Sequence, residues 1–113
     1  MVNVSSTAQS LSNDYAGMGA WIGLATDDPG NSATPANEAA GGNYSRVKTT
    51  WTPGDGGVNQ GSPVTINLPS GAYPYMILCA DANGQTMIDN CKINGVVLNS
   101  DGQIVVVPTY RQT

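Results

Sequence analysis

The side chains in this sequence that are best suited to acid–base chemistry are its eight acidic residues. The sequence has no histidine. Without histidine, the side chain that most often exchanges protons near neutral pH is missing, and a Ser-His-Asp triad is excluded. The acidic residues fall mostly at turn positions, where aspartate bonds its own backbone. A two-carboxylate hydrolase needs a cleft that brings two of them together, which a domain of this size rarely builds. We therefore predict that the protein is not an enzyme.

Metal and cofactor sites are not indicated either. Asp27, Asp28 and Asp81 carry oxygen ligands of the kind that calcium uses, but the glycine offset and the lack of a following glutamate do not match an EF-hand loop. Two cysteines without histidine supply half a zinc site at most. The glycine-rich segments at 41–42 and 54–57 match no phosphate-binding motif. We expect no metal and no cofactor.

Aromatic side chains offer a different chemistry, because their faces stack on the apolar face of a sugar. Tyr73 and Tyr75, beside a proline, are predicted at the surface and are the candidate glycan contacts, with Tyr110 as another surface aromatic. Trp21 and Trp51 lie within predicted strands, where a core position is favoured over a sugar platform.

The composition of the chain limits the kinds of partner that we expect it to bind. The chain has 113 residues, the size of one domain, with 11% charged residues and a net charge of −4. Its four basic residues are scattered, so nucleic acid and anionic membranes are not expected partners. No apolar run reaches the roughly 18 residues that span a bilayer, and the first residues do not resemble an export signal. We expect synthesis in the cytoplasm without export.

Apolar spacing predicts a short N-terminal helix over residues 3–16. Val4, Ala8, Leu11 and Tyr15 recur at the helical period, with a serine at 5 or 6 as the cap. A flexible arm with the same spacing remains an alternative. We therefore divide the chain into residues 1–19, a helix or docking arm, and residues 20–113, a β domain. The segments 1–15 and 108–113 are the candidate docking arms.

From residue 20 onward, short β-rich segments alternate with turn residues. This pattern predicts an all-β fold: a single-domain antiparallel β-sandwich or flattened barrel. Asn94-Gly95 is predicted as a tight reversal, and residues 52–62 as the loosest loop. The predicted strands are residues 20–26, 46–52, 63–68, 75–80, 86–93, 96–98 and 103–107.

Two further features concern burial. Residues 76–80 and 104–107 are continuously apolar, so we expect both faces of those strands to be covered, by a partner subunit or by a tight sandwich centre. Cys79 and Cys91 lie twelve residues apart around a predicted turn. They either face each other across a hairpin as a disulfide or, as a reducing compartment favours, remain buried thiols.

One stretch resembles a known pattern. Residues 23–46 read GLATDDPGNSATPANEAAGGNYSR. The order of strand, Asp-Pro-Gly, polar spacer, Glu-x-x-Gly-Gly and Tyr-x-Arg resembles small virion proteins of tailed bacteriophages. The resemblance covers about residues 5–80 and weakens after Ala80. The matching positions are Asp28, Pro29, Gly30, Glu38, Gly41, Gly42, Tyr44 and Arg46.

The resemblance implies a structural protein located in the virion. Because the chain is one stand-alone domain without a fibrous repeat or coiled coil, we expect a capsid decoration subunit that docks in many copies. Its implied partners are other virion proteins, the major capsid protein or tail proteins, and further copies of itself. A minor tail or fibre component involved in adsorption, and a soluble carbohydrate-binding module, are the alternatives. Physically, the stretch is expected to cover a sheet edge, with Glu38 and Arg46 forming an ion pair and Gly41 and Gly42 allowing a positive-φ bend.

Overall fold

The computed structural model describes residues 4–112, so the predictions for residues 1–3 and 113 lie outside the described part. In that range one helix, α1 (Ser5–Met18), precedes nine strands, and every strand pair is antiparallel. The strands are β1 (Trp21–Ala25), β2 (Val47–Lys48), β3 (Trp51–Pro53), β4 (Val58–Gly61), β5 (Val64–Leu68), β6 (Gly71–Cys79), β7 (Met87–Leu98), β8 (Gly102–Val106) and β9 (Thr109–Arg111).

The strands are arranged in three sheets. A four-stranded sheet has the order β2-β1-β6-β7, a three-stranded sheet has the order β3-β4-β9, and β5 pairs with β8. The prediction of an all-β fold with a short N-terminal helix is confirmed at this level, since antiparallel sheets follow a single helix in the described range.

Strand β5 shows how the sequence pattern places the core. Val64, Ile66 and Leu68 are buried, whereas Thr65 and Asn67 between them are exposed. The buried face packs into one cluster with the buried side chains of β1 and with Tyr73 of β6. Successive strand residues point to opposite faces, so a strict alternation of apolar and polar residues predicts one covered face. The predicted half-exposed strand is confirmed.

Helix α1 confirms the predicted helix but not its predicted apolar face. The helix follows Val4, whose backbone is extended, and no side chain caps its first turn, so the predicted serine cap is wrong. Ala8 and Ser12 are buried and Tyr15 is half-buried, whereas Val4 and Leu11 are exposed. The buried face of the helix differs from the one that the apolar spacing predicts because much of the contact between this helix and the sheet is polar.

Those polar contacts join α1 to β4. The Gln9 side-chain oxygen accepts the backbone N–H groups of Gly57 and Val58 at 2.9 and 3.0 Å, and its nitrogen donates to the Val58 carbonyl at 2.9 Å. One turn further on, the Asn59 amide donates to the buried Ser12 hydroxyl at 2.7 Å. The glutamine side chain thus bonds β4 much as a neighbouring strand does.

The candidate docking arms are folded against the body. Helix α1 contacts β3 and β4, and β9 pairs with β4 along residues 58–60. Strand β4 itself lies within the predicted loop 52–62, and β9 lies within the predicted tail arm. Within the described residues both segments pack on the β domain, and their role in docking stays a prediction.

Strand β7 runs through Asn94-Gly95, where the sequence predicts a tight reversal. The β6 residues on either side of Pro74 pair with Lys92 and Val96, so three residues of β7 lie opposite one proline. Proline has no N–H to donate, so the ladder is interrupted and the extra residues form a bulge. The two predicted strands at 86–93 and 96–98 are consequently one long strand.

Both cysteines are free thiols. Cys79 is buried and pairs in register with Met87, whereas Cys91 is exposed and pairs with Met76. The register keeps the two cysteines from facing each other across the hairpin, so the thiol interpretation is confirmed over the disulfide. The prediction that both thiols are buried, however, is correct only for Cys79.

The two continuous apolar runs differ in their surroundings. In the run 76–80, Ile77, Leu78 and Cys79 are all buried, as predicted for a strand covered on both faces, whereas Met76 is half-buried and Ala80 is exposed. On β8 and just after it, Val105 and Val107 are 65% and 52% exposed. The alternative of a tight sandwich centre is therefore wrong for residues 104–107, and cover by a partner subunit stays a prediction.

The inward face of β5 provides a test of the core. We expect Ile66→Ala to lower the free energy of unfolding by about 2–5 kcal/mol, because it removes a fully buried side chain and leaves a cavity. The matched control is Thr65→Ala, the exposed neighbour, which we expect to change it by less than about 1 kcal/mol. Urea denaturation at constant m-value measures both, and similar losses for the two variants would contradict the assigned register.

Candidate functional site

The segment between β1 and β2 covers the open edge of β1. Strand β2 pairs with the first two residues of β1 only. Beyond them, Ala39 donates its N–H to the Leu24 carbonyl at 2.9 Å, and Thr26 donates to Asn37 at 2.9 Å. The Leu24 N–H donates to the Tyr44 hydroxyl at 3.2 Å. The loop thus satisfies the backbone groups that an edge strand leaves unpaired.

The Asp-Pro-Gly sequence makes the turn at the far end of this loop. The Asp28 carboxylate accepts the Gly30 N–H at 2.8 Å, and Gly30 has a φ of +84°, which favours glycine. Pro29 is buried between them. Asn37 donates its side-chain amide to the Asp28 carbonyl at 3.0 Å and so fastens the turn to the returning chain.

Glu38 and Arg46 form the predicted ion pair in a two-pronged geometry. Arg46 donates from Nε to one carboxylate oxygen and from Nη2 to the other, both at 2.8 Å. Tyr44 donates its hydroxyl to the first oxygen at 2.7 Å. The arginine is buried, and this fork geometry is the strongest arrangement for an Arg–carboxylate pair. The name Glu38 cluster is used below for Glu38, Tyr44 and Arg46.

Arg46 also reaches a distant segment. Its Nη1 donates to the Asp81 carbonyl at 3.1 Å and its Nη2 donates to the Gly84 carbonyl at 3.0 Å. A longer contact of 3.3 Å joins Nη1 to the Thr86 hydroxyl. These partners belong to the turn between β6 and β7, so one guanidinium connects the loop after β1 with the hairpin 35 to 40 residues later.

Electrostatics reinforce the cluster. Burial acts to raise the pKa of the Glu38 carboxyl, but the hydrogen bonds from Arg46 and Tyr44 and the Arg46 charge outweigh it, so the pKa lies below its usual value. Burial and the hydrogen bond to Glu38 raise the pKa of the Tyr44 hydroxyl. The hydrogen bond to Glu38 raises the pKa of Arg46 despite its burial. All three groups are therefore held in their ordinary protonation states at neutral pH.

Glycines allow the close contacts around the Glu38 cluster. Gly41 and Gly42 have φ values of +86° and +58°, so the predicted positive-φ bend is confirmed. At Gly23 of β1, a Cβ atom would overlap the Tyr44 hydroxyl oxygen. The tyrosine therefore reaches the β1 backbone because residue 23 has no side chain. Together these contacts fix the loop to the sheet, and their polar groups are hydrogen-bonded within the protein.

The candidate glycan tyrosines do not form a surface platform. Tyr73 is only 2% exposed and donates its hydroxyl to the Pro69 carbonyl at 2.7 Å, so the prediction that it is a surface aromatic is wrong. Its aromatic ring completes the core above β5. Tyr75 and Trp21 are half-buried against the smaller apolar cluster formed by β1 and β6. Trp51 is half-buried and donates its indole N–H to the Gly19 carbonyl at 2.9 Å.

Another group of aromatic residues lines a cavity of about 130 Å³ between α1, β7 and β9. Tyr15 and Tyr110 stack with ring centroids 3.5 Å apart and planes 10° apart. Trp51 forms a further wall, and Ile22 and Leu78 contribute apolar surface. We call this the Tyr15 cavity.

The carboxylate of Asp89 lines the Tyr15 cavity. Tyr15 donates its hydroxyl to Asp89 at 2.8 Å, and the Asn90 N–H donates to the other oxygen of that carboxylate at 2.8 Å. Burial, followed by the hydrogen bond and charge of Asp89, raises the pKa of Tyr15, which therefore remains a donor. Tyr15 and Asp89 are 74 residues apart, and no local pattern in the sequence links them. The sequence shows that residues 15 and 110 are aromatic, but it does not predict that they contact each other.

Other kinds of site find little support in the described chain. Over residues 4–112, no group of three or more acidic or cysteine side chains is placed to hold a metal ion. Asp27 and Asp28 instead accept hydrogen bonds from the backbone of their own turn. No helix in the same range is long and apolar enough to cross a membrane.

Comparison with protein-family models, with curated proteins and with solved structures gives no match.

The Glu38 cluster predicts a specific pH dependence. Because the pKa of Glu38 is lower in the folded protein than in the unfolded chain, its contribution to stability is complete above about pH 4.3, the ordinary glutamate value, and is lost as the pH falls further. We expect the stability difference between the native protein and Glu38→Gln to shrink on acidification from pH 6 to pH 3. Urea unfolding across this range measures the difference, with Asp55→Asn as the control for loss of one exposed charge. A difference that is constant with pH would contradict the ion-pair assignment.

Proposed function

We propose that the protein is a non-enzymatic structural subunit of a tailed-phage particle, which docks in many copies on the capsid exterior. The observation that carries the proposal is the role of the motif residues, which build one loop: a turn, a glycine bend and the Glu38 cluster. A pattern whose positions all serve the fold of one loop is what a family of structural subunits would share. The ordered motif and its resemblance to small virion proteins support the same conclusion.

We infer that the three sheets stack as a β-sandwich. The buried face of β5 packs in one cluster with side chains of β1, which belongs to the four-stranded sheet. Strand β2, also in that sheet, contacts β5. Two sheets that share an apolar core in this way are the basis of sandwich architectures. A compact sandwich suits a subunit that adds to an existing surface.

The outer face of β5 and β8 is the surface we assign to contact with a second copy. Its exposed positions are Thr65, Asn67, Gln103, Val105 and Val107, and none carries a charge. Copies with a net charge of −4 repel each other, so an uncharged face is the surface on which two of them meet with the least repulsion. Exposed valines on such a face gain from being covered, as the continuously apolar segment 104–107 predicts.

We expect Val105→Asp to shift the protein toward the monomer, because it places a carboxylate on the uncharged face and, through the symmetry of a dimer, opposite a copy of that face. Sedimentation equilibrium of the native protein and the variant measures the change. Val4→Asp, at another exposed valine, is the matched control and should leave the assembly unchanged. A native protein that stays monomeric at high concentration would remove the self-association surface from the proposal.

The virion assignment has its own test. We expect an antiserum against the protein to label purified particles of the producing phage at symmetry-related points over the capsid, visible by cryo-electron microscopy. Label confined to the tail would replace decoration with a role in adsorption. Particles without label would overturn the virion assignment itself.

A further inference from the structure

The Tyr15 cavity has no part in the proposed structural role, and its hydrogen-bonding groups are unevenly distributed. Its strong side-chain donors are already bonded within the protein. Tyr15 donates to Asp89, Trp51 donates to the Gly19 carbonyl, and Tyr110 donates to the Gln112 side chain at 2.6 Å.

The two remaining polar side chains of the lining are committed in the same way. The Asn90 amide donates to the Gly30 carbonyl at 2.9 Å, and the Thr109 hydroxyl donates to the Gln60 side chain at 2.9 Å. Among the described residues, no lysine or arginine lines the cavity. A ligand that needs side-chain donors, such as a carboxylate or a phosphate, would therefore find only weakly engaged ones: the second N–H of the Asn90 amide, which contacts the Met87 sulfur at 3.9 Å, and the Cys91 thiol.

Acceptors, by contrast, remain. Each carboxylate oxygen can accept two hydrogen bonds, and within the described residues each oxygen of Asp89 accepts one, from Tyr15 or from the Asn90 backbone. These two donors also hold the carboxylate in one orientation. Aromatic rings, whose π systems attract cations, form part of the cavity wall. The cavity thus combines apolar surface with negative potential.

We propose that the Tyr15 cavity binds a small organic ammonium cation, with its charge near Asp89 and its apolar groups against Tyr15, Trp51 and Tyr110. The volume of about 130 Å³ is several times the ~10–15 Å³ that a cavity needs to admit one water molecule, so it has room for a group as small as a quaternary ammonium. An ammonium with N–H groups donates them to the free acceptor positions of Asp89, and a quaternary ammonium needs no hydrogen bond. Either kind of cation matches the hydrogen-bonding groups of the cavity.

A sugar ring fits these groups less well. Its hydroxyls donate to acceptors such as Asp89, but they also need donors, and the strong donors of the lining are occupied. Burying sugar oxygens without partners costs about 1–3 kcal/mol for each group. The hydrogen-bond pattern therefore favours the cation.

The test compares two probes of the same shape. Choline is titrated into ¹⁵N-labelled protein and compared with 3,3-dimethyl-1-butanol, which replaces the charged nitrogen with carbon. We expect choline to shift the indole N–H resonance of Trp51 with a dissociation constant of about 10 mM or tighter. The indole of Trp21, which does not line the cavity, is the internal control.

A matched pair of variants isolates the charge. Asp89→Asn keeps an oxygen that accepts the Tyr15 hydrogen bond but removes the charge, and we expect it to weaken choline binding about tenfold. Asp55→Asn removes an equal charge from an exposed loop outside the cavity and should leave binding unchanged.

Three outcomes would overturn the proposal. Equal binding of 3,3-dimethyl-1-butanol would identify an apolar pocket without preference for charge. A Trp51 shift with methyl glucoside but not with choline would identify a sugar site. No shift with choline at concentrations well above 10 mM would mean that the cavity does not bind such cations. The probe comparison uses the native protein, so it decides the question even if Asp89→Asn does not fold.

Discussion

The fork of hydrogen bonds between Glu38 and Arg46 is the interaction on which the arrangement of this fold depends most. Through Tyr44 it joins the backbone of β1, and through the second side of the guanidinium it joins the turn between β6 and β7. A loop with few apolar residues is thereby fixed to β1 and to the β6–β7 turn of the same sheet. Removing one partner would leave a buried charge without compensation, which is far costlier than losing an exposed pair.

The features of this cluster that the sequence predicts are the local ones. Glu38 and Arg46 are eight residues apart with a glycine pair between them, so a bend that brings them together is a short-range inference. Asp28 and Gly30 make a turn by bonding within three residues. The contact between Arg46 and the distant hairpin was not predictable, because it depends on the pairing of β1 with β6.

Long-range contacts account for the other differences between sequence and structure. Strand β4 contains little that favours a strand, and it exists because β3 and β9 pair with its two sides and Gln9 bonds its first residue. Tyr73 was expected outside since it neighbours a proline, but the alternation of β6 turns it toward the core. The Tyr15 cavity joins residues from both ends of the chain, so none of its geometry follows from spacing.

The bulge opposite Pro74 has a consequence for solubility. Strand β7 is long and lies at the edge of its sheet, the type of surface on which strands of other molecules add to form fibrils. The three residues that bulge there distort the row of N–H and C=O groups, and Asp89 and Lys92 place charges beside it. The irregularity at which the sequence predicts two strands and a reversal thus also makes this edge a poor template for amyloid growth.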